Sequence, residues 1–325
     1  MLLITENEIS QLITMKMAIQ KCKDALLLAA SGKTQIPLRM SMPISENEQF
    51  LFKPGYIQEL NTAGVKIVSV FPQNTHQATV QAQMLLMDAR NGEIQAIIDG
   101  TYLTRLRTGA LQGAATDILA RANAKTALLI GTGGQALCQL EALLNVRNLS
   151  TVWVCGRNYE TTKQFVDKLA FYDFNTKIIP IKHIDEVITE ADIITAITTS
   201  NTPVFDGSLV KNGTHINGMG SYTPQMQELP EDVVIKADKI FFDTKEGVLA
   251  GAGDFIIPIQ KGLINPTSNH CNEIGDLLRN KVPGRETESE ITLFKSVGTA
   301  VLDIVTAEYI FRQAVLNKIG TNVKF

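Results

Sequence analysis

Residues 125–137 read KTALLIGTGGQAL, in which the uncharged run TALLI is broken by a glycine cluster and followed by the helix-prone stretch CQLEALL. A chain that turns this sharply between an apolar strand and a helix is a β-turn-α unit, and such a strand hides both its faces only inside a parallel sheet. Gly131 permits the tight turn, Gly133 lets a ligand come close to the backbone, and Ala136 is small enough for helix and strand to pack. Thr132, Gly134 and Gln135 fill the loop between them. The first N–H groups of the helix, at the positive end of its dipole, then face a pyrophosphate. Glycine turns also follow strands in α/β proteins that bind nothing. Here the uncharged strand, and a second strand STVWVCG about 20 residues on, favour a dinucleotide.

The end of that second strand bears on which dinucleotide is held. An acid there would hydrogen-bond the adenosine ribose of NAD, but the chain has Cys155-Gly156-Arg157-Asn158. With no carboxylate to repel a 2′-phosphate and Arg157 and Asn158 at hand, NADP is favoured and NAD is the alternative. Arg157 as a solvated loop residue is the competing reading.

From residue 126 onward, strand candidates TALLI, TVWVC, TKIIPI, DIITAIT, GTHINGMG and KIFFDT alternate with helical stretches, which predicts a Rossmann-type, doubly wound parallel sheet. Before it, MKMAIQKCKDALLLAA (15–30) has helical spacing and stops at Ser31-Gly32. IPLRMSM, QFLFKPG, GVKIVSVF, QAQMLLMD and EIQAIID read as extended segments of an antiparallel or mixed sheet, with Asn91-Gly92 as a hairpin turn. LTRLRTGALQGAATDILARA reads as a helix leading into the glycine loop. FKSVGTAVLDIVTAEYIFRQAVL reads as one long amphipathic helix that returns to the first domain, with Val301, Ile304, Val305, Tyr309 and Phe311 on buried faces. The expected division is 1–115 with 300–325, a discontinuous α+β domain, and 116–299, the dinucleotide domain.

A chain of 325 residues, 45% hydrophobic, is long enough for two such cores. Thirty basic and 33 acidic side chains, without a basic cluster, exclude a nucleic-acid surface and point to a small-molecule partner. The start MLLITENEIS lacks the features of a signal peptide, and no apolar stretch reaches membrane-spanning length. Cys22, Cys138, Cys155 and Cys271 are scattered and lie far in sequence from the four histidines, which predicts reduced thiols in the cytoplasm and no metal site.

Four cations stand in apolar or β-like surroundings: Arg39 in IPLRMSM, Lys53 in FLFKPGY, Lys66 in GVKIVSV and Arg107 in LTRLRTGA. A charge there needs a partner or an outward-facing strand face. Any one of them alone reads as solvated, because alternate side chains of a strand point outward. Together they read as a receptor for a carboxylate, gripped by arginine and held by lysine as a point charge.

With the glycine loop, RTGALQGAAT, GVKIVSVFPQN, HINGMGSYTPQMQEL and TLFKSVG in order, the chain resembles the ornithine cyclodeaminase/μ-crystallin family over nearly its whole length. The resemblance implies a substrate-binding and homodimer-forming domain built from the N-terminal half and the C-terminal helix, around a Rossmann domain. It implies that Arg39, Lys66 and Arg107 hold a substrate carboxylate, with Lys53 at a nearby position. Asn74 and Thr108 then line the nicotinamide pocket, and Ser296, Val297 and Gly298 approach the carboxamide. Asn74 and Ser296 also fit a second role, capping a turn or helix.

The ornithine-deaminating members carry an aspartate two residues after the glycine of the Asn-Xaa-Xaa-Gly segment; here Asn217-Gly218-Met219-Gly220 is followed by Ser221-Tyr222. A phenol is a poor base at neutral pH. The resemblance therefore favours the ketimine reductases, which reduce Δ1-pyrroline-2-carboxylate or Δ1-piperideine-2-carboxylate to L-proline or L-pipecolate with NAD(P)H. Tyr222 either assists proton transfer or packs as an aromatic wall with its hydroxyl satisfied. Ornithine cyclodeaminase and a non-catalytic NADPH-dependent binding protein are the alternatives.

Overall fold

The computed structural model describes residues 1–172, 174–268 and 270–324. The chain divides into two compact units, Met1–Ala110 with Thr299–Phe325, and Leu111–Gly298.

The sheet of the first unit runs Thr321–Asn322, Leu2–Ile4, Ile94–Asp99, Val80–Asp88, Thr62–Val70, Gln49–Ile57 and Thr34–Gln35, with Met40–Pro43 also paired to Gln49–Ile57. Leu2–Ile4 runs parallel to Ile94–Asp99, and the long strands between Ile94–Asp99 and Gln49–Ile57 are antiparallel, so the sheet is mixed. Helix Met15–Ala30 starts at Thr14, whose hydroxyl accepts from the Met17 amide, and packs on helix Ala300–Asn317.

Strand alternation decides what the helix Ala300–Asn317 covers. Leu51, Lys53, Gly55 and Ile57 are the buried positions of one strand, and Thr62, Gly64, Lys66 and Val68 those of its neighbour. Gly55 and Gly64 are directly paired, as are Lys53 and Lys66. A Cβ on Gly55 would stand 2.7 Å from Ile304 Cδ1, and one on Gly64 would stand 3.2 Å from Ile304 Cγ1. The missing side chains form a trough for Ile304, so the helix lies close on the sheet, with Asp303 facing the lysines.

The long C-terminal helix expected to begin at Phe294 is shorter. Thr292–Lys295 is a buried strand of the second sheet, Gly298 turns the chain with φ +75°, and the helix begins at Ala300. It is not amphipathic at first, because the first nine residues, from Ala300 to Glu308, are buried. Val301, Ile304 and Val305 are buried as expected, whereas Tyr309 and Phe311 are only half-buried.

In the second unit, the described residues form an eight-stranded parallel sheet in the order Lys177–Pro180, Thr151–Cys155, Thr126–Ile130, Ile193–Ala196, His215–Gly218, Thr292–Lys295, Lys239–Phe242, Cys271–Glu273. This is the doubly wound, Rossmann-type architecture, with apolar clusters on both faces: Leu128, Ile130 and Ile194 on one, Ala127, Leu129 and Val152 on the other. Thr126–Ile130 lies between the next strand in sequence and a later one, so its carboxyl end is the switch point at which such sheets bind ligands. Not every connection is the helix expected: Ile193–Ala196 leads to His215–Gly218 through the short 3-10 turn Gly207–Leu209, because residues 198–203 (TTSNTP) favour turns.

One side chain ties helix Gly100–Leu119 to the second sheet's first helix. Arg147 Nη2 donates to the carbonyls of Thr116, Asp117 and Ala120 at 3.0, 2.9 and 2.8 Å, and Nε donates to that of Arg121 at 2.9 Å. The planar fork thereby closes carbonyls that a helix end leaves open. Arg147→Ala is expected to lower the unfolding free energy by about 3 kcal/mol in urea denaturation. Arg147→Lys should recover less than half of that, since one ammonium cannot span those acceptors.

Candidate active site

The first unit brings three of the four sequence-singled cations onto one buried carboxylate. Lys66 is 1% exposed and Asp303 0%. Lys66 Nζ lies 2.7 Å from Asp303 Oδ1 and donates to Thr104 Oγ1 at 2.9 Å, while Arg107 Nε lies 2.9 Å from the same Oδ1. Lys53, buried and paired across the strands with Lys66, completes the group. Arg39, half-buried just before strand Met40–Pro43, is near enough to act on Lys53 electrostatically. Thr108 follows Arg107 on helix Gly100–Leu119 and is buried. Asn74 stands apart from this group: its amide donates to the Ala78 carbonyl at 3.2 Å and fixes its own loop.

Four cations against one carboxylate leave an excess of positive charge in a poorly solvated place. Burial lowers the Lys66 pKa to about 8, Arg107 adding to the effect while Asp303 opposes it. Burial, Lys66 and Arg107 hold Lys53 well below the usual lysine range. Burial pushes the Asp303 carboxyl up, but Arg107, Lys66 and Lys53 more than offset it and keep it below the usual carboxylate range. A cluster with this balance is stabilised by a further anion, and a carboxylate matches the guanidinium fork. Among the described residues the two terminal nitrogens of Arg107 have no hydrogen bond or ion pair, so that fork is open.

In the second unit the glycine turn has the geometry its spacing predicts. Gly131 takes φ +117°, and a Cβ there would stand 2.5 Å from the Ile197 carbonyl oxygen. Gly133 differs: a Cβ would meet nothing within 4 Å, so its backbone borders open space. Ala136 is fully buried at the start of helix Ala136–Val146, and Gln135 precedes it with a buried side-chain oxygen that has no partner. Thr132 packs beside Gly156 at the end of the neighbouring strand. An open backbone at a helix N-terminus, on the switch point of the sheet, fits a dinucleotide pyrophosphate. Beyond Gly156, Arg157 is exposed, whereas Asn158 uses its side-chain oxygen to cap helix Tyr159–Lys168 through the amides of Glu160 and Thr161.

Two further segments are held by buried acids that the sequence did not single out. Asp243 Oδ2 accepts from Ser296 Oγ at 2.7 Å and from the Gly298 amide at 2.8 Å, which shapes the turn Ser296-Val297-Gly298. Glu228 accepts from the amides of Gly220 and Ser221 at 2.6 and 3.1 Å through one oxygen, and from the Thr198 amide at 2.7 Å through the other. Lys295, 2.6 Å from Asp254 and 3.5 Å from Glu228, offsets one of their two charges in full burial, and burial together with Asp254 raises the Glu228 pKa. This fixes the backbone just before Tyr222, which is half-buried. Among the described residues no group of three or more His, Cys, Asp or Glu could hold a metal ion, and no helix is long and apolar enough to cross a membrane.

A sequence model of the ornithine cyclodeaminase/mu-crystallin family matches residues 1–318. The chain belongs to that family. Among its members, the Delta(1)-pyrroline-2-carboxylate reductase of Bacillus cereus is 38% identical over 328 residues and covers 100% of both chains. The structure of Thermococcus litoralis Delta(1)-pyrroline-2-carboxylate reductase in complex with NADH and L-proline superposes with a TM-score of 0.94 at 36% identity, over 99% of this chain and 100% of that one. An archaeal alanine dehydrogenase dimer with bound NAD gives a TM-score of 0.92 at 32% identity, over 100% of this chain and 99% of that one.

Within this family member, the contrast between the two loop glycines gives a test of the dinucleotide site. Gly133→Val adds bulk where the protein leaves space, so it should fold with a melting temperature within about 2 °C of the parent. In a fluorescence titration its affinity for a reduced nicotinamide dinucleotide should fall by about tenfold or more, as the side chain would occupy the phosphate approach. Unchanged affinity would separate the turn from the cofactor.

Proposed function

We propose that the protein is an NAD(P)H-dependent reductase of cyclic ketimine carboxylates, converting Δ1-pyrroline-2-carboxylate to L-proline, Δ1-piperideine-2-carboxylate to L-pipecolate, or both. The observation that carries the reading is the buried group Lys53, Lys66 and Arg107 around the single carboxylate of Asp303, with the fork of Arg107 open. The likeness to the Bacillus cereus reductase, and to the Thermococcus litoralis enzyme crystallised with NADH and L-proline, supports it.

The reaction asks little acid–base work of the protein, because a protonated imine is already an electrophile. Arg107, Lys66 and Arg39 hold the substrate carboxylate and so fix the ring beside it. The turn Gly131–Ala136 holds the pyrophosphate, Thr108 and Asn74 serve the nicotinamide, and Ser296, Val297 and Gly298, shaped by Asp243, serve its carboxamide. When bound, the reduced nicotinamide supplies the hydride that goes to the imine carbon. The product nitrogen leaves that step as a neutral amine and takes up one proton. Lys53 Nζ, held in a poorly solvated place with a depressed pKa, is the group in the cluster suited to carry it, with Tyr222 the alternative donor. Tyr222 in place of a carboxylate disfavours ornithine cyclisation.

Arg157 at the end of strand Thr151–Cys155, with no acid in the four residues that close it, makes NADPH the preferred cofactor over NADH. A homodimer working in the cytoplasm belongs to the same reading; the archaeal alanine dehydrogenase dimer supports the first part.

The test is NADPH and NADH oxidation with the five- and six-membered cyclic imino acids, beside ornithine alone. Oxidation is expected with one or both imines, faster with NADPH, and no ammonia from ornithine; ammonia release without added reductant would replace this reading with ornithine cyclodeamination. Tight NADPH binding without turnover on any imine would leave a binding protein. Arg107→Ala should lower kcat/KM by about a hundredfold or more, as expected for a buried charge that meets an anion. Arg157→Ala should cut the preference for NADPH by about tenfold.

A further inference from the structure

We propose that Asp303 is the positioning residue of the anion-binding group: its Oδ1 takes Lys66 Nζ and Arg107 Nε together, and so holds the ammonium and the open guanidinium fork in the arrangement that receives a carboxylate. This deepens the reading above and rests on it for the identity of the substrate. The geometry itself stands apart from that reading. One oxygen lies 2.7 Å from the lysine and 2.9 Å from the arginine, while Oδ2 is buried with no hydrogen-bond partner among the described residues. Asp303 therefore binds both cations from one side only. The nitrogen of Arg107 nearest to it is Nε, at ion-pair distance but without a hydrogen bond, which leaves the two terminal nitrogens, the pair that grips a carboxylate in bidentate fashion, for a ligand.

The paired glycines 55 and 64 explain how an acid on a helix reaches two cations from other elements. They seat Ile304 on the sheet, and the adjacent residue meets Lys66 on strand Thr62–Val70 and Arg107 on helix Gly100–Leu119. The other charged or titratable groups that face the cluster are Lys53 from strand Gln49–Ile57, Arg39 from the segment before Met40–Pro43, and Cys22 from helix Met15–Ala30, whose thiol donates to the Arg107 carbonyl at 3.4 Å. Cys22 is neutral at working pH, its pKa raised to about 12 by burial. Asp303 is thus the anionic member of a group otherwise made of cations, and its loss leaves Lys66 among Arg107, Lys53 and Arg39 with no counter-charge from this group.

The consequence is a pH signature that a mere packing role would not produce. Lys66, at about 8, is charged below that pH and loses its charge above it, so carboxylate affinity should fall as pH rises through that value. Removing Asp303 takes away the neighbour that favours the charged form, and the fall should move to lower pH.

The experiment uses the full chain and pyrrole-2-carboxylate, a stable planar carboxylate, with affinity measured by calorimetry from pH 6 to pH 10 without cofactor turnover. The parent should lose affinity above about pH 8. Asp303→Asn should bind more weakly than the parent already at pH 6, because the two cations lose their common anchor, and should lose the remaining affinity at least about one pH unit lower. Asp303→Glu, which keeps the charge, should keep the break of the parent. An unmoved break in Asp303→Asn, or an equal loss of affinity at every pH, would overturn the proposal. Should Asp303→Asn not fold, Lys66→Arg decides: a guanidinium does not titrate in this range, so the break near pH 8 should give way to that of Lys53 alone, and an unchanged break would overturn the assignment. Failure of the substrate reading alone would appear as no NADPH oxidation with either imine while this pH signature remained.

Discussion

The buried meeting of Lys66 and Arg107 at Asp303 is the constraint on which the first unit depends. Two cations and an acid out of water carry a desolvation cost that attraction between them repays only when the geometry is held closely. The geometry is held here by backbone: a pair of glycines facing each other across two strands, and a helix that settles into the space they leave. With Lys53 in the same layer, the group stays short of negative charge. It is incomplete as a structure and suited as a receptor.

The second unit manages its buried charges differently. Lys295, Asp254 and Glu228 are fully enclosed, and the acids also accept hydrogen bonds from backbone amides. This group serves to hold the loops after strands Ile193–Ala196 and His215–Gly218. Asp243 does the same for the turn after Thr292–Lys295. The same residue types thus leave an excess of cations around one acid in the first unit, and acids tied to backbone amides in the second.

The glycine turn was legible in the sequence because its chemistry is local: Gly131, Gly133 and Ala136 act through spacing alone. Lys53 and Lys66 were legible as anomalies, cations at alternating positions of apolar strands. Asp303 was not, because one acid in AVLDIVTAEY reads as part of a polar stripe, and only tertiary packing shows that this turn of helix has no exposed face. Lys295 was misread for a related reason. FKSVGTAVL scans as the start of a helix, and nothing local reveals that Phe294 and Lys295 complete a sheet whose other strands come much earlier in the chain. Asn158, expected beside the cofactor, uses its side-chain oxygen to cap helix Tyr159–Lys168, a role that a local reading of the strand end did not bring out.

Asp303 follows Lys66 by 237 residues in the chain. During synthesis from the N-terminus, the strands bearing the two lysines and the helix bearing Arg107 emerge long before their counter-charge, with the whole parallel sheet made in between. Like charges facing one another across paired strands repel until then, so the half-made receptor resists closing on itself. Helix Ala300–Asn317 acts as a latch: its arrival brings the counter-charge and completes the core in the same movement.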